Sequence, residues 1–355
     1  MPESHSRRFV IRCDGSASLG MGHVVRSLSL ATALRDARAQ VKFAVADLGG
    51  LAQRLVGDSG FELVTTSRPA DRDMRRSLRP DDLGVLVETA KTWNACVVID
   101  HYGADANYFR EVAGTGLRLG VIDDLADRDL SAAEWLLNQN PGAIQLSYRT
   151  KPACRKLLGL NYTLMRPQFR CQRERLEREF HVRDNRVLIT LGGGETQAMV
   201  AAVLSGLSRV TRQLQIRCVL GGDSGQTMEV ETTAARSVHT IEVQRNVENM
   251  AELMAWCDVS VNASGSTCWE LCCLGVPMVT MVLSADQAAN AAEVDRLGLG
   301  INVGEFAGAE TAGRIAQCIE QLLADPQGRR ETSSRAKSMV DCRGAERAAE
   351  SLIGL

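Results

Sequence analysis

FVIRCDGSASLGMGHVVRSLSL, residues 9–30, is the stretch that decides the fold. It opens with an almost continuous apolar run at 9–13, which is typical of a parallel strand that is buried on both faces. From His23 to about residue 37, apolar residues recur with helical spacing. Between strand and helix, Gly20 and Gly22 allow a tight turn and a close approach of the backbone to a ligand. This order predicts the first strand–loop–helix unit of a doubly wound α/β domain.

The same alternation of short apolar runs and helix-like segments starts again near Arg186. Strands are predicted at 9–13, 41–46, 97–100 and 119–124 in the first half, and at 186–190, 217–222, 239–243, 259–264 and 277–283 in the second. Two successive series predict an α/β protein with two Rossmann-like, doubly wound domains that face a cleft. The length of 355 residues agrees, because a single core rarely exceeds about 250–300 residues.

The domain boundary is predicted in a segment that is dense in Arg and Glu and poor in apolar residues. We therefore expect an N-terminal domain at 1–165, a solvated linker at 166–185 and a C-terminal domain at 186–355. A second hypothesis for Arg166, at the start of this segment, is that it faces the ligand and pairs with an anion.

Charge and hydropathy exclude several classes of partner. The net charge is −2 and the two signs are interspersed, so we expect no nucleic acid and no anionic membrane as partner. The N-terminal segment has no signal-peptide core, and the apolar run after it is too short to cross a bilayer, which predicts a cytoplasmic protein. The sequence does not define an oligomeric state, and we expect a monomer.

The eleven cysteines are scattered and often lie in apolar runs, so we expect reduced thiols that pack in the core. Cys268 and Cys272 are one helical turn apart, but no second Cys or His pair with zinc spacing accompanies them. The pair Asp123 and Asp124 is interpreted as a cap after a strand. We therefore expect neither a metal nor a cofactor.

The first glycine loop is a candidate anion site. Free N–H groups and the positive end of a helix dipole favour an anion such as a diphosphate at Gly20, Gly22 and Arg26. His23 is expected at the carboxyl ends of the strands, where doubly wound domains bind ligands, and a neutral imidazole there can act as a base. A loop histidine without chemistry is the alternative.

Polar residues follow another predicted strand at 100–103. Asp100 can orient a base, and Tyr102 can donate a hydrogen bond to a sugar hydroxyl. A turn that caps a helix explains the same residues equally well.

Gly193 and Gly194 belong to a second glycine loop, at 191–196, which again follows a strand and precedes a helix. It mirrors the first loop, although a structural left-handed turn is an alternative. The loop lacks the P-loop lysine and the full dinucleotide fingerprint, so the sequence supports neither a P-loop NTPase nor an NAD enzyme.

A third loop, at 264–267, contains Ser264, Gly265, Ser266 and Thr267. Ser266 or Thr267 can cap a helix and leave backbone amides free for a phosphate. Glu270 lies about one turn further on and can accept both hydroxyls of a ribose. A cap alone explains Ser and Thr, but it does not explain an acid among apolar neighbours.

Together these motifs resemble the hydrolase family of pseudaminic acid biosynthesis, which releases UDP from UDP-2,4-diacetamido-2,4,6-trideoxy-β-L-altropyranose. The resemblance extends from about Phe9 to about Gly304, and it depends on the segments 20–26, 100–103, 122–125, 158–159, 162–169, 191–194 and 264–270. That family is related to the inverting glycosyltransferase that builds lipid II. The resemblance implies two domains of the glycosyltransferase-B fold.

The resemblance also implies roles for single residues. His23 matches the water-activating base, Glu270 the carboxylate that binds the uridine ribose, and 264–267 the phosphate-binding turn. Gln287 and Asn290 match residues that contact the sugar.

Two positions depart from that family. Gly194 and Glu195 stand where many relatives carry Ser and Asp, and Gln168 stands where an acid is usual. Either departure is consistent with a different sugar.

Three functions are compatible with these residues. The first is a UDP-sugar hydrolase, in which water attacks the anomeric carbon without a metal. The second is an inverting glycosyltransferase of the same fold, because fold does not determine the acceptor. The third is a non-catalytic sugar-nucleotide sensor.

Overall fold

The structure is a computed structural model that describes residues 7–16, 20–46, 48, 50–66, 78, 80–178, 185–192, 196–221, 227–245 and 247–354, with side chains 177 and 178 left out. The strands are β1 Arg8–Cys13, β2 Gln40–Ala46, β3 Glu62–Thr66, β4 Cys96–Asp100, β5 Leu119–Ile122, β6 Trp135–Asn138, β7 Arg155–Leu158, β8 Arg186–Thr190, β9 Gln215–Leu220, β10 Thr240–Arg245, β11 Val259–Ala263, β12 Met278–Val282 and β13 Gly300–Glu305. The helices are α1 Gly22–Asp36, α2 Leu51–Asp58, α3 Pro80–Thr92, α4 Ala106–Gly114, α5 Pro167–Arg178, α6 Gln197–Leu207, α7 Met228–Ala235, α8 Met250–Trp256, α9 Thr267–Leu274, α10 Ala288–Arg296, α11 Ala309–Ala324, α12 Pro326–Met339 and α13 Gly344–Ile353. Short 3₁₀ helices lie at Pro141–Gln145, Leu160–Tyr162 and Ala285–Gln287.

The N-terminal unit is built on a parallel sheet with the strand order β3-β2-β1-β4-β5-β6-β7. Successive residues of β1 point to opposite faces, so Phe9 and Ile11 join one hydrophobic cluster while Val10 joins another. Both faces of the sheet are therefore covered, as the continuous apolar run at 9–13 predicts. The strand order reverses between β1 and β4.

The C-terminal unit repeats this winding in the order β10-β9-β8-β11-β12-β13, with all pairs parallel. Here the order reverses between β8 and β11. Two Rossmann-like, doubly wound units are thus confirmed.

The compact units differ from the predicted boundaries in two places. One unit comprises Met1–Arg166 and Arg343–Leu355, and the other comprises Pro167–Cys342. The chain therefore returns to its first unit for the last helix, whereas the prediction gave all of 186–355 to the C-terminal domain.

α13 joins the N-terminal unit through its apolar face. Ala348 and Leu352 belong to the same hydrophobic cluster as residues of α1. In addition, Arg155 donates to the carbonyl of Ser351 at 2.8 Å. The sequence pattern predicts a helix here but does not say which core it covers.

The predicted linker at 166–185 is helical over Pro167–Arg178, and residues 179–184 lie outside the described part of the chain. Phe169 of α5 is fully buried. Arg173 donates to the carbonyls of Cys273 at 3.2 Å and Lys337 at 3.0 Å. Charge density alone is misleading here, because an arginine can bury its aliphatic stem while its guanidinium binds backbone carbonyls.

The expectation of reduced thiols is wrong for one pair, because Cys273 and Cys342 form a disulfide with their Cα atoms 5.9 Å apart. Their separation of 69 residues hides this proximity in the sequence. The bond links the end of α9 to the last residue of the C-terminal unit. Cys268 and Cys272 are free thiols buried in the core, as predicted.

No described helix is both long enough and apolar enough to cross a membrane.

Gly344 tests the return of the chain to the N-terminal unit. A Cβ at this position would lie 2.3 Å from the backbone N of Thr163, and backbone cannot move aside as a flexible side chain can. We expect Gly344→Ala to lower the free energy of unfolding by about 1–3 kcal/mol, measured by urea denaturation. Gly114→Ala, at the end of α4, is the control, because a Cβ there meets no atom of the other described residues within 4 Å, apart from its own helix backbone. Equal stability of the two variants would contradict the packing of α13.

Candidate functional site

The site in the N-terminal unit lies at the carboxyl edge of the sheet, where the strand order reverses between β1 and β4. Ligands of doubly wound domains bind at such a point. Asp100 is the last residue of β4, and His23 lies in the first turn of α1, which follows the loop after β1. The fold therefore brings together two side chains that are 77 positions apart.

His23 and Asp100 form a dyad in which Nδ1 and Oδ1 are 2.6 Å apart. Asp100 is completely buried and also accepts hydrogen bonds from Arg26 at 2.6 and 2.7 Å and from Ser27 at 3.2 Å. Burial by itself raises the pKa of Asp100, but the charge of Arg26 and the contact with His23 outweigh it and hold the pKa well below its usual range. Asp100 is therefore a carboxylate.

The charge of Asp100 decides the tautomer of His23. A carboxylate can only accept hydrogen bonds, so Nδ1 of His23 must carry the proton and donate it. The 3.1 Å contact between Nδ1 and the Arg26 guanidinium is then not a hydrogen bond, since both groups are donors. In the neutral ring, Nε2 therefore carries the lone pair, and none of the described residues hydrogen-bonds to it. The His23 side chain is 13% exposed.

Arg26 is held between two carboxylates. Besides Asp100, it donates to both oxygens of Asp124, at 3.0 and 2.7 Å. Burial lowers the pKa of Arg26, but Asp100 and Asp124 raise it well above the ordinary value, so the guanidinium stays charged. Arg26 was predicted to bind substrate, whereas the structure directs its donors at protein carboxylates.

Tyr102 lies beside the dyad. Its ring meets the imidazole of His23 edge to face, with the ring centroids 4.6 Å apart. Its hydroxyl donates to Asp124 at 3.1 Å. The predicted donation to a sugar hydroxyl would have to replace this bond.

A second network of buried charges occupies the same edge of the sheet. The Arg12 guanidinium, which is fully buried, pairs with Asp14 at 2.6 Å and with Asp82 at 2.8 Å. Tyr108 adds a hydrogen bond to Asp82 at 2.7 Å. This network was not predicted from the sequence, although an arginine inside an apolar strand run was a signal for it.

His101 connects that network to the turn after β4. Its Nδ1 accepts the N–H of Gly103 at 2.9 Å, so its Nε2 donates to Asp14 at 3.0 Å. Burial lowers the pKa of His101, which keeps the ring neutral. His101 therefore fixes the backbone of the turn that carries Tyr102.

The glycine loop before α1 is described only in part, because residues 17–19 are outside the described ranges. Gly20 has φ +80°, a conformation that favours glycine. Among the described residues, and apart from its chain neighbours and its own helix backbone, a Cβ placed on Gly20 or Gly22 meets no atom within 4 Å. The N-cap residue Met21 has no side-chain cap, and the first turn of α1 has no acid. These features are compatible with the predicted anion contact.

The second predicted site lies in the C-terminal unit, where the strand order reverses between β8 and β11. After β8, Gly192 has φ +93°, whereas Gly193 and Gly194 lie outside the described residues. After β11, Ser264 is buried and its hydroxyl bonds to the carbonyl of Met281 and to Thr280, both at 2.8 Å. The Ser264 side chain thus ties β11 to β12, so its predicted phosphate contact cannot come from its hydroxyl in this arrangement.

The start of α9 offers backbone donors. Ser266 is the N-cap residue and its side chain makes no capping hydrogen bond. Within the described part of the chain, the N–H groups of Gly265, Ser266 and Thr267 donate to no protein acceptor. Glu270 lies in the first turn of α9 and is partly exposed. The predicted cap is thus absent, and three amides are available to an anion.

Gln287 and Asn290 follow β12, the neighbour of β11, so their loop lies at the same sheet edge as the start of α9. Gln287 accepts the N–H of Leu283 at 3.1 Å through its side-chain oxygen, and Asn290 is partly exposed on α10. Arg166 is partly buried immediately before α5. The expected contacts of these three residues with sugar or anion stay predictions.

The paired acids after β5 are both engaged. Asp123 accepts the N–H of Ala126 at 2.7 Å, as a cap would, and pairs with Arg128. Asp124 pairs with Arg26 instead, which a cap does not explain. Over the described ranges, no group of three or more His, Cys, Asp or Glu could hold a metal ion.

Comparison with solved structures identifies the fold. MurG of Acinetobacter baumannii superposes with a TM-score of 0.68 and 18% identity over 98% of this chain and 100% of that one. A UDP-glucosyltransferase from Polygonum tinctorium superposes with a TM-score of 0.69 and 15% identity over 99% of both chains. The chain has the glycosyltransferase-B fold.

Sequence comparison agrees for the C-terminal unit, since residues 186–348 match the Glycosyltransferase family 28 C-terminal domain. The spore coat polysaccharide biosynthesis protein SpsG of Bacillus subtilis is 20% identical over 298 residues, or 83% of each chain. An uncharacterized protein of Methanocaldococcus jannaschii is 25% identical over 77% of this chain, and the chain spans only 55% of the length of that relative.

Asp100 predicts a specific response to acid. Its pKa is lower in the folded than in the unfolded chain, so its charge stabilises the fold fully above about pH 4, and this stabilisation is lost as the pH falls through the folded pKa. We expect Asp100→Asn to lower the free energy of unfolding at pH 7 by about 3–5 kcal/mol. The same variant should lose less further stability than the wild type between about pH 4 and pH 2. Denaturant titrations over this pH range measure both effects.

Asp58→Asn, an exposed position at the end of α2, is the control and should behave like the wild type. An Asp100→Asn variant with the acid sensitivity of the wild type would contradict a buried, charged Asp100.

Proposed function

We propose that the protein is a UDP-sugar hydrolase in which His23 takes a proton from the water that attacks the anomeric carbon. The dyad carries this proposal. Asp100 orients the ring of His23 with Nδ1 as the donor, which leaves Nε2 of this partly exposed side chain as the proton acceptor. A general base in such a position contributes about 10²–10⁴-fold to a rate.

The chemistry needs little beyond this base. The water oxygen bonds to the anomeric carbon, the bond from that carbon to the phosphate oxygen breaks, and the bonding electrons leave with UDP. Nε2 of His23 receives the water proton. Asp100 then faces an imidazolium and stabilises its charge, as a carboxylate behind a catalytic histidine does. UDP is a good leaving group, so no metal is needed in this scheme.

The C-terminal unit is proposed to bind UDP. The three available amides at the start of α9 suit the diphosphate, and their partial positive charge stabilises the charge that develops on the leaving group. Glu270, one turn along, suits the ribose hydroxyls. The match to the Glycosyltransferase family 28 C-terminal domain and the structural likeness to a UDP-glucosyltransferase support a nucleotide-sugar ligand.

The resemblance to the hydrolases of pseudaminic acid biosynthesis supports a UDP-linked diacetamido-trideoxy sugar as substrate. Gln287 and Asn290 are proposed to contact the sugar. Glu195 and Gln168 depart from that family, so the substrate panel should include related sugars.

Glycosyl transfer is the second candidate function, because the structural neighbours include a UDP-glucosyltransferase and SpsG is named for polysaccharide biosynthesis. The same dyad can take a proton from an acceptor hydroxyl. Free sugar formed from a UDP-sugar without any acceptor supports hydrolysis. Release of UDP only when an acceptor alcohol is added would support transfer.

The first test replaces the base. We expect His23→Asn to lower kcat by about 100-fold or more and to leave the Kd of UDP within about 3-fold, because the proton is transferred only in the transition state. Product formation is followed by mass spectrometry and UDP affinity by calorimetry. Added imidazole should restore part of the activity of His23→Ala.

The site of attack is read in ¹⁸O-water, on UDP, because the anomeric oxygen of a free sugar exchanges with solvent. UDP should carry no label. Labelled UDP would mean attack at phosphorus, and unchanged kcat in His23→Asn would remove the base from its role.

The second test concerns the ribose. A carboxylate that accepts the ribose hydroxyls should make the wild type prefer UDP over 2′-deoxy-UDP by about 10-fold or more. In Glu270→Gln, UDP binding should weaken and this preference should largely disappear. Glu310→Gln, in the exposed first turn of α11, is the matched control. Equal discrimination in Glu270→Gln and the wild type would place the ribose elsewhere.

A further inference from the structure

We propose that Asp124 is a positioning residue that holds the dyad in its reactive geometry through Arg26 and Tyr102. The inference rests on the proposed function only in taking His23 as the base.

Both oxygens of the Asp124 carboxylate accept two hydrogen bonds each. Its Oδ1 accepts from Arg26 at 3.0 Å and from Asn140 at 2.9 Å. Its Oδ2 accepts from Arg26 at 2.7 Å and from Tyr102 at 3.1 Å. The side chain is only 12% exposed, so these partners replace water. Four donors on two oxygens leave this carboxylate little freedom to move.

Asp124 reaches the dyad along two separate routes. The first runs through Arg26, whose other two nitrogens donate to the two oxygens of Asp100 at 2.6 and 2.7 Å. The second runs through Tyr102, whose ring packs edge to face on the imidazole of His23. One carboxylate thus fixes both the group behind the base and the surface beside it.

The charges of the cluster give Asp124 a second effect. Asp100 and Asp124 contribute two carboxylates, and Arg26 contributes one guanidinium. With a neutral His23 ring the cluster has one excess negative charge, and an imidazolium at His23 would balance it. In a site with little water this balance favours the transition state, in which the ring is becoming charged.

Asp123 differs from its neighbour, because its partners are the N–H of Ala126 and the guanidinium of Arg128. Arg128 also donates to the carbonyls of His101 and Ala104 at 2.8 and 2.9 Å. Asp123 therefore ties its own turn to the turn after β4, which sets the position from which Asp124 reaches Arg26.

The decisive variant is Asp124→Asn in the full chain. An amide has the same shape, but it has only one acceptor oxygen and no charge. Each oxygen of Asp124 accepts from Arg26 and from a second donor, which is Asn140 or Tyr102. The NH₂ group of the variant therefore takes the place of an acceptor and faces a donor of Arg26, unless a water displaces Arg26. We expect kcat to fall by about 10- to 100-fold and KM to stay within about 3-fold, since small displacements of a catalytic group have effects of this size.

A merely structural role is excluded by a second readout, ¹⁵N NMR of the five histidines without substrate. In the wild type, His23, assigned through His23→Asn, should show protonated Nδ1 and unprotonated Nε2. In Asp124→Asn it should show a mixture of the two tautomers, because Asp100 and the ring are no longer held together. This readout is independent of turnover, so it tests the positioning role even if the protein transfers sugar rather than hydrolysing it.

Asp127→Asn is the matched control, because Asp127 lies in the same turn and its side chain is 61% exposed. It should leave both kcat and the His23 signals unchanged. If Asp124→Asn does not fold, Tyr102→Phe removes a single donor to Asp124, and its His23 signals should shift in the same direction. Wild-type His23 signals together with kcat within about 2-fold in a folded Asp124→Asn, or unshifted signals in Tyr102→Phe, would overturn the proposal.

Discussion

The buried carboxylate of Asp100 is the group on which the N-terminal site depends. Placing a charge with no exposed surface at the end of β4 is costly unless every lone pair finds a donor. Arg26, His23 and Ser27 supply those donors from successive turns of α1. The same contacts that make this burial possible fix the helix against the strand and determine which nitrogen of His23 donates to Asp100. Stability and chemistry are therefore coupled at this position, because a substitution that removes the buried charge of Asp100 also removes the acceptor that orients the His23 ring.

The two units use the same strand order in different ways. In the N-terminal unit the reversal point is filled with side-chain charges, and they converge on a single proton acceptor. In the C-terminal unit the corresponding point is lined by backbone: Ser264 turns its hydroxyl towards β12, and the uncapped start of α9 keeps its N–H groups available. A network of charged side chains can set the hydrogen bonding of a single atom. The start of a helix instead provides several N–H groups with partial positive charge, which suits an extended anion. A base and a leaving-group site are what a displacement at an anomeric carbon requires.

The sequence predicted the central strands well, because strands buried on both faces are continuous apolar runs. It missed β3, β7 and β13, whose residues are largely part-exposed near the sheet edges, and it also missed the short, fully buried β6. Of the residues in this cluster, it named His23, Asp100 and Tyr102 but assigned Arg26 to substrate, because a loop motif does not reveal that Asp124, 98 positions away, pairs with Arg26. It also missed Arg12, since a charge in an apolar run can be interpreted only when its partners are known. A local sequence pattern does not show which residues pair across long separations in the chain, and this was the missing information.

The nature of the site explains why hydrolysis and transfer are so close on this fold. In the proposed function, Nε2 of His23 would accept a proton from any hydroxyl beside the anomeric carbon, and the donors at α9 would respond only to the leaving phosphate. Neither set of groups recognises the nucleophile. The difference must therefore come from residues that admit or exclude an acceptor, and those can change without disturbing Asp100, Arg26 or the start of α9. We therefore propose that the buried charges serve both activities and that exposed loops determine which one a particular chain performs.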